Sequence, residues 1–268
     1  MARPQGLLYF MGLGAKGVGQ RWKEGRMYLE WRRKYAKRLR QFKDIHAGED
    51  CFIIGNGPSL NKMDLSPLKD YYTFGLNKIY MLFDRVDLDL SYLVSANEYV
   101  IEQSKEEFEH FDCPIFLSYT ASKGVIADRP HIHRLYTLNT WSFYEDISQP
   151  ICNGFTVTYV AMQIAYYMGF KRVFLIGVDH SFKQTKGAEN TTEVLKGDDE
   201  NHFHPDYFKG MKWHLADVKG NEVSYHLADY FFERDGRQIL DATVGGKLDV
   251  FPKIGYEEAI SMAKKKNS

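Results

Sequence analysis

The stretch Cys51-Phe52-Ile53-Ile54-Gly55-Asn56-Gly57-Pro58-Ser59-Leu60 decides the fold. A short apolar, β-prone run stops in Gly-Asn-Gly-Pro-Ser, and a helical pattern follows. In an open parallel sheet, ligands bind where strands end, and a glycine turn there lets backbone amides approach a phosphate. Asn56 and Ser59 add side-chain hydrogen bonds, and Pro58 presets a first helical turn that Ser59 can cap. The alternative is a strand-to-helix turn with no ligand. The segment lacks the Gly-Lys-Ser/Thr ending of a P-loop, and Leu60 stands where a dinucleotide fingerprint has its third glycine.

The rest of the chain extends this pattern. Apolar runs predict strands at Cys51–Gly55, Tyr72–Leu76, Ser91–Ser95, Pro114–Ser118, His133–Leu138, Arg172–Val178 and Arg237–Asp241. Helical patterns fall near Pro67, at Glu98–Phe111, Gly154–Met168, Glu222–Arg234 and Tyr256–Lys265. Alternating strands and helices predict an α/β fold with a mainly parallel sheet of about seven strands, covered on both faces. Residues 181–220 break the rhythm: they are polar and rich in Gly, Asp and His, as expected of a lid or binding loop.

Residues 1–48 differ in composition and read as a separate basic, amphipathic helical extension preceding a catalytic domain over 49–268. Between Lys16 and Lys43 there are eleven Lys or Arg against Glu24 and Glu30 alone. Tyr28, Trp31, Tyr35, Leu39 and Phe42 follow steps of three and four, one face of a helix. Two readings fit: a helix packed on the body of its own protein, or one lying on an anionic membrane surface through residues 16–43. Gly12-Leu13-Gly14-Ala15-Lys16-Gly17 matches G-x-G-x-x-G formally, but a basic helix follows it rather than a buried βαβ unit.

Composition narrows the function. With 268 residues, 35 basic and 35 acidic side chains, the chain carries no global field that points to nucleic acid. Cys51, Cys113 and Cys152 are odd in number and far apart, which fits a reducing cytoplasm better than a disulfide scaffold. No run approaches the roughly 18 apolar residues of a membrane span. The expected place is therefore cytoplasmic, peripheral at the inner face of the membrane if the basic helix docks there.

Several predicted strand ends carry an asparagine: Asn56, Asn77 and Asn97, while Asn153-Gly154 opens a long apolar helix. An amide both donates and accepts, so convergent Asn side chains suit a ribose, a base edge or a sugar, although each alone suits a turn or cap. Leu175-Ile176-Gly177-Val178-Asp179-His180 ends a buried strand in an acid and an imidazole. Asp179 suits a ribose hydroxyl, a metal, a catalytic role or a structural cap. In Gly197-Asp198-Asp199-Glu200-Asn201-His202-Phe203-His204, histidine is the ordinary general base at neutral pH. No cysteine or H-x-x-x-H helix supports zinc, and Asp198 and Asp199 suit magnesium beside a nucleotide or a solvated loop. Thr243 and Lys247 end a further strand in a small-residue turn facing a base or phosphate, or serving structure alone. No G-x-S-x-G elbow occurs, which argues against a serine hydrolase.

Ile54–Leu60, Asn77, Asn97, Asn153-Gly154, Ile-Gly-Val-Asp at 176–179 and the His-rich segment together resemble the bacterial family-42 sialyltransferases. The likeness extends to the related family of motility-associated nonulosonic acid transferases, which also includes archaeal 6-hydroxymethylpterin diphosphokinases. It spans roughly residues 50–250. It implies a Rossmann-like sheet with a lid, a CMP-activated sugar donor, and inverting transfer to a surface glycan or glycolipid without a metal or other cofactor. Under it, Gly55, Asn56, Gly57, Ser59, Asn77, Asn97, Asn153 and Gly154 hold nucleotide and donor, Asp179 sits at the ribose edge, and His202 or His204 is the base. The family's lid tyrosines are replaced: Phe182 stands at the first, no tyrosine occurs from residue 181 to 206, and Lys183, Lys186 or Tyr207 would have to steady the departing phosphate. Two other readings compete: an ATP- and Mg2+-dependent diphosphokinase using Asp198 and Asp199 on a pterin-like alcohol, and a non-catalytic nucleotide-binding scaffold. The sequence leaves an oligomer open.

Overall fold

A computed structural model describes residues 18–181 and 191–266. The chain enters through helix α1 (Val18–Trp31), which continues as a π-helical turn at Arg32–Ala36 and winds down through Phe42. Its aromatic stripe is buried: Tyr28, Trp31, Tyr35, Leu39 and Phe42 join the main hydrophobic core. Trp31 Nε1 donates to the Arg134 carbonyl at 2.7 Å, and the Phe42 ring meets Phe116 edge-on at 4.9 Å. Of the two sequence readings, the aromatic face takes the packed one, because three-dimensional neighbours supply the apolar surface that it needs.

Next come β1 (Asp50–Ile54), β2 (Tyr72–Leu76), β3 (Tyr92–Ser95), the broken helices α2 (Glu98–Gln103) and α3 (Lys105–Glu109), and β4 (Ile115–Ser118). Helix α4 (Tyr119–Ser122), β5 (Ile132–Leu135) and a short parallel pair, β6 (Thr137–Leu138) with β7 (Ile151–Cys152), follow. Then come α5 (Val157–Met168), β8 (Arg172–Ile176), the antiparallel ribbon β9 (Thr192–Val194) with β10 (Lys212–His214), α6 (Val218–Arg234), β11 (Gln238–Asp241) and α7 (Tyr256–Met262).

The main sheet has seven strands in the order β11-β8-β1-β2-β3-β4-β5, all parallel. This is the Rossmann-like arrangement that the alternating pattern predicts. Every residue of β1 is buried because its side chains alternate between two covered faces: Cys51 and Ile53 join the core cluster that holds α1 and α5 residues, while Phe52 and Ile54 join the opposite one. From β1 the chain runs outward through β2 to β5, then returns to add β8 on the other side. That reversal creates a topological switch point between the carboxyl ends of β1 and β8, where open α/β sheets bind ligands.

Residues 191–220 are more ordered than their polar composition predicts. Phe203, Tyr207, Phe208, Trp213 and Leu215 bury themselves in the second core, over the strand ends. Their spacing follows neither a helix nor a strand period, so the sequence pattern does not reveal them. Among the described residues, no helix is long and apolar enough to cross a membrane.

Candidate functional site

The glycine turn after β1 is spent largely on the neighbouring strand. Gly55 N–H donates to the Ile176 carbonyl at 2.7 Å, and Gly57 N–H to the Gly177 carbonyl at 2.8 Å. The two amides expected to face a phosphate are thus occupied, and Asn56 is the side chain that the turn presents to the cleft. Asn56 Oδ1 is buried and has no hydrogen-bond partner among the described residues, although it lies in the wall of the switch-point cleft. A buried acceptor without a donor is costly, so this atom marks where a ligand N–H or O–H fits.

Asp179 closes the turn from the β8 side. Its Oδ1 accepts the Ser59 N–H at 3.0 Å and its Oδ2 the Ser59 hydroxyl at 2.6 Å. Burial pushes its carboxyl above the usual range, and the Ser59 hydrogen bonds work against that. Asp179 and Ser59 therefore form a structural buckle between two strand ends. Beside them, Thr243 accepts the Val178 N–H through its hydroxyl at 3.2 Å, and Lys247 donates its backbone N–H to the Asp179 carbonyl at 2.8 Å. Neither Thr243 nor Lys247 lines the switch-point cleft.

That cleft consists of three connecting compartments of about 140, 490 and 430 Å³ along the carboxyl edge of the sheet. The first sits at the switch point, between Gly55–Gly57 and Gly177–Ser181. Asn77, Thr156, Val157, His202 and Asn221 border both the first and the second. Asn97, Asn139, Asn153 and His214 border both the second and the third. The structure thus brings Asn56, Asn77, Asn97 and Asn153 into one groove.

Helix α5 starts at this groove. Gly154 and Phe155 both adopt left-handed backbone (φ 58° and 62°), swinging the chain into the helix. Gly154 has no room for a side chain, since a Cβ there would lie 2.0 Å from the Tyr159 ring. Thr156 caps the helix by accepting the Thr158 N–H at 3.3 Å, and no acid occupies the first turn. The positive end of a twelve-residue helix thus opens on the boundary between the first two compartments.

The lid supplies an acid–imidazole pair. Asp199, with its side chain 1% exposed, accepts the Asn201 N–H through Oδ1 at 2.9 Å and meets His202 Nδ1 through Oδ2 at 2.8 Å. With Nδ1 donating to the carboxylate, the proton is fixed there and Nε2 is left with its lone pair. Nε2 has no hydrogen-bond partner among the described residues. Tyr207 holds the imidazole from below, its ring parallel at 4.1 Å, while its buried hydroxyl accepts the Lys78 N–H at 3.2 Å. Burial raises the Tyr207 phenol well above its usual range, so Tyr207 acts here as the imidazole's platform. The lid is pinned to the glycine turn: Phe203 N–H donates to the Asn56 carbonyl and Asn61 Nδ2 to the Phe203 carbonyl, both at 2.9 Å.

The remaining expected residues divide. His204 Nδ1 accepts the Asp206 N–H at 3.1 Å in a local turn. Asp198 is exposed and paired with Lys209 at 2.8 Å, so it and the buried Asp199 do not converge. Among the described residues, no three His, Cys, Asp or Glu side chains cluster as metal ligands. Lys183, Lys186 and the 12–17 glycine motif lie outside the described residues. Asn97 caps α2, accepting the Tyr99 and Val100 amides, and points its Nδ2 at His214 Nδ1, 3.1 Å away. Asn77, in left-handed backbone, takes the Ser95 hydroxyl on Oδ1 at 3.0 Å.

Sequence reasoning missed Asn139, Thr156 and Asn221, and it noted His180 and His214 among the histidines at the insertion without giving either a role. Of these, only the Thr156 cap before an apolar helix had a local signal; the others reach the groove through tertiary structure. His180, with its Nε2 3.0 Å from Glu222 Oε1, faces the switch-point compartment.

Fold and groove together define a doubly wound α/β protein with a ligand cleft at its topological switch point. The chain belongs to the 6-hydroxymethylpterin diphosphokinase MptE-like family, whose model matches residues 28–185. The match includes the glycine turn, the four groove asparagines and Asp179, and it ends before the Asp199–His202 pair. The family's description is that of a transferase. No curated protein matches the chain.

Proposed function

We propose that this chain is a sialyltransferase-like, inverting glycosyltransferase, moving a sugar of the nonulosonic acid type from a CMP-activated donor to a hydroxyl of a surface glycan or glycolipid. The observation that supports this most is His202, buttressed by Asp199 and Tyr207, at the junction of two compartments. The donor nucleotide takes the switch-point side, where Asn56 Oδ1 awaits a donor and α5 presents its positive end to the phosphate. The acceptor takes the larger compartments beyond. His202 Nε2 removes the proton from the acceptor hydroxyl, and that oxygen attacks the anomeric carbon. The bond from that carbon to the phosphate oxygen breaks, and its electron pair leaves with CMP. Asp199 keeps the ring in the tautomer that can accept the proton and stabilises the imidazolium formed.

A diphosphokinase reading is favoured by the family's description. It needs Mg2+ beside ATP, and the divergence of Asp198 and Asp199 does not suit them as joint ligands, so no step is routed through them. Calorimetry separates the readings. CMP binding that persists in EDTA, with weaker ATP binding, is expected here. Binding of ATP alone, only with Mg2+, overturns the glycosyltransferase reading and installs the other; binding of neither overturns both.

A further inference from the structure

Burial of the aromatic stripe of α1 leaves a second face of that helix turned outward. Trp22, Arg26, Leu29 and Arg33 follow steps of four, three and four residues, and Lys37 and Arg40 continue the line. Trp22 is 71% exposed and Leu29 62%, among the highest values for large apolar side chains of the described residues. None of the four cations has an acidic partner among the described residues, whereas Lys34, off this line, pairs with Asp128. The only two acids of the helix lie elsewhere: Glu30 is tied to Lys123, and Glu24 lines the third compartment of the groove.

We infer that this outward face docks the protein on an anionic lipid bilayer. An indole and a leucine set among arginines match the boundary between headgroups and acyl chains: cations meet lipid phosphates while the apolar groups enter just below. An acidic protein or nucleic acid would satisfy the cations but offers no general reason for Trp22 and Leu29 to interleave them. The helix is also continuous with the site. Glu24 and Met27, on the side of α1 away from Leu29, wall the third compartment, so docking holds that end of the groove one helix diameter, roughly 10 Å, from the bilayer surface.

The test needs no turnover, so it stands apart from the activity assigned. The full chain is spun with vesicles of phosphatidylcholine alone or with phosphatidylglycerol added. Retention is expected on the anionic vesicles only, falling as salt is raised. Arg26→Glu with Arg33→Glu should weaken it about tenfold or more. Trp22→Ser with Leu29→Ser should weaken it at constant charge. Both pairs are exposed, and an unchanged circular dichroism spectrum checks that the fold persists. Equal retention on neutral vesicles, no retention at all, or retention indifferent to both double variants overturns the inference. So does displacement by a soluble polyanion with no dependence on Trp22 and Leu29, which assigns the face to a macromolecular polyanion instead.

Discussion

Gly57 and Asp179 share one space: a Cβ on residue 57 would lie 1.9 Å from Asp179 Oδ2 and 2.9 Å from the Gly177 carbonyl. The glycine is therefore required by a carboxylate of the protein itself, whatever the ligand requires. Gly57→Ala must expel Asp179 from the Ser59 hydroxyl and amide, or shift the strand ends. We expect a loss of roughly 1–3 kcal/mol in stability, the usual scale for overpacking. Because the two residues collide, Gly57→Ala with Asp179→Ala should cost less than the sum of the single changes by about 1 kcal/mol. Urea denaturation of the four proteins measures this. Strict additivity would mean that the two side chains do not compete. Weakened nucleotide binding in a Gly57 variant thus reports on Asp179 as well as on phosphate.

The sheet was legible because each strand is an apolar run between turn residues, and a parallel sheet buried on both faces needs just that. Asn56, Asn77 and Asn97 were legible as groove residues because strand ends in such a sheet converge on one edge, and Asn153 because it precedes the apolar helix that starts there. Their individual roles were not. Asn97 is both a helix cap and the anchor of His214, which lies 117 positions away. The Asp199–His202 contact spans only three residues, but no pattern distinguishes the buried Asp199 from exposed Asp198. That difference comes from Asn201 N–H and His202 folding around one carboxylate. The direction in which α1 turns its aromatic stripe likewise depends on partners such as Arg134 and Phe116.

Asn97 permits a separation of its two duties. Asn97→Ala removes the acceptor for the Tyr99 and Val100 amides and should cost about 1 kcal/mol, the typical value of a lost cap. Asn97→Asp keeps the acceptor but loses the N–H that holds His214 Nδ1. Its stability should stay within about 0.5 kcal/mol of the parent, since Asp and Asn cap equally well. Its effect should appear instead in acceptor KM, because His214 borders the outer compartments. Equal thermal destabilisation of both variants would show that the His214 contact is itself a stabilising one.

Lys78 gives the lid a pH dependence. Its ammonium donates to the Tyr207 carbonyl at 2.8 Å and to Met211 Sδ at 3.2 Å, and burial lowers its pKa to about 8. The unfolded chain retains this proton up to its ordinary value near 10.5. Between these values the unfolded state binds more protons, so stability rises with pH across that window. Below about 8 both states are charged, and the folded protein bears the full cost of the buried cation. Lys78→Met removes the titration. Its stability relative to the parent should be highest at pH 7 and decline as pH rises towards 10. Chemical denaturation at several pH values checks this; a difference independent of pH would mean that water solvates the ammonium.

The strongest prediction concerns Asp199 and His202 as a unit. General-base assistance contributes about 10²–10⁴ in rate, and His202→Ala should lower kcat by that order while leaving donor KM nearly unchanged. Asp199→Asn preserves shape and the Asn201 contact, but its amide can donate to Nδ1. That places the imidazole proton on Nε2, where the ring can no longer accept one, so kcat should fall by roughly tenfold to a thousandfold in a folded protein. The double variant should be no slower than His202→Ala alone, because the carboxylate acts only through the ring. His204→Ala, which loses only a turn contact to Asp206, should keep kcat within about threefold, short of the scale of a lost base. Steady-state kinetics with a CMP-activated nonulosonic acid measures all four. Multiplicative effects of the Asp199 and His202 changes would separate the two residues, and full kcat in both single variants would remove the base from this site.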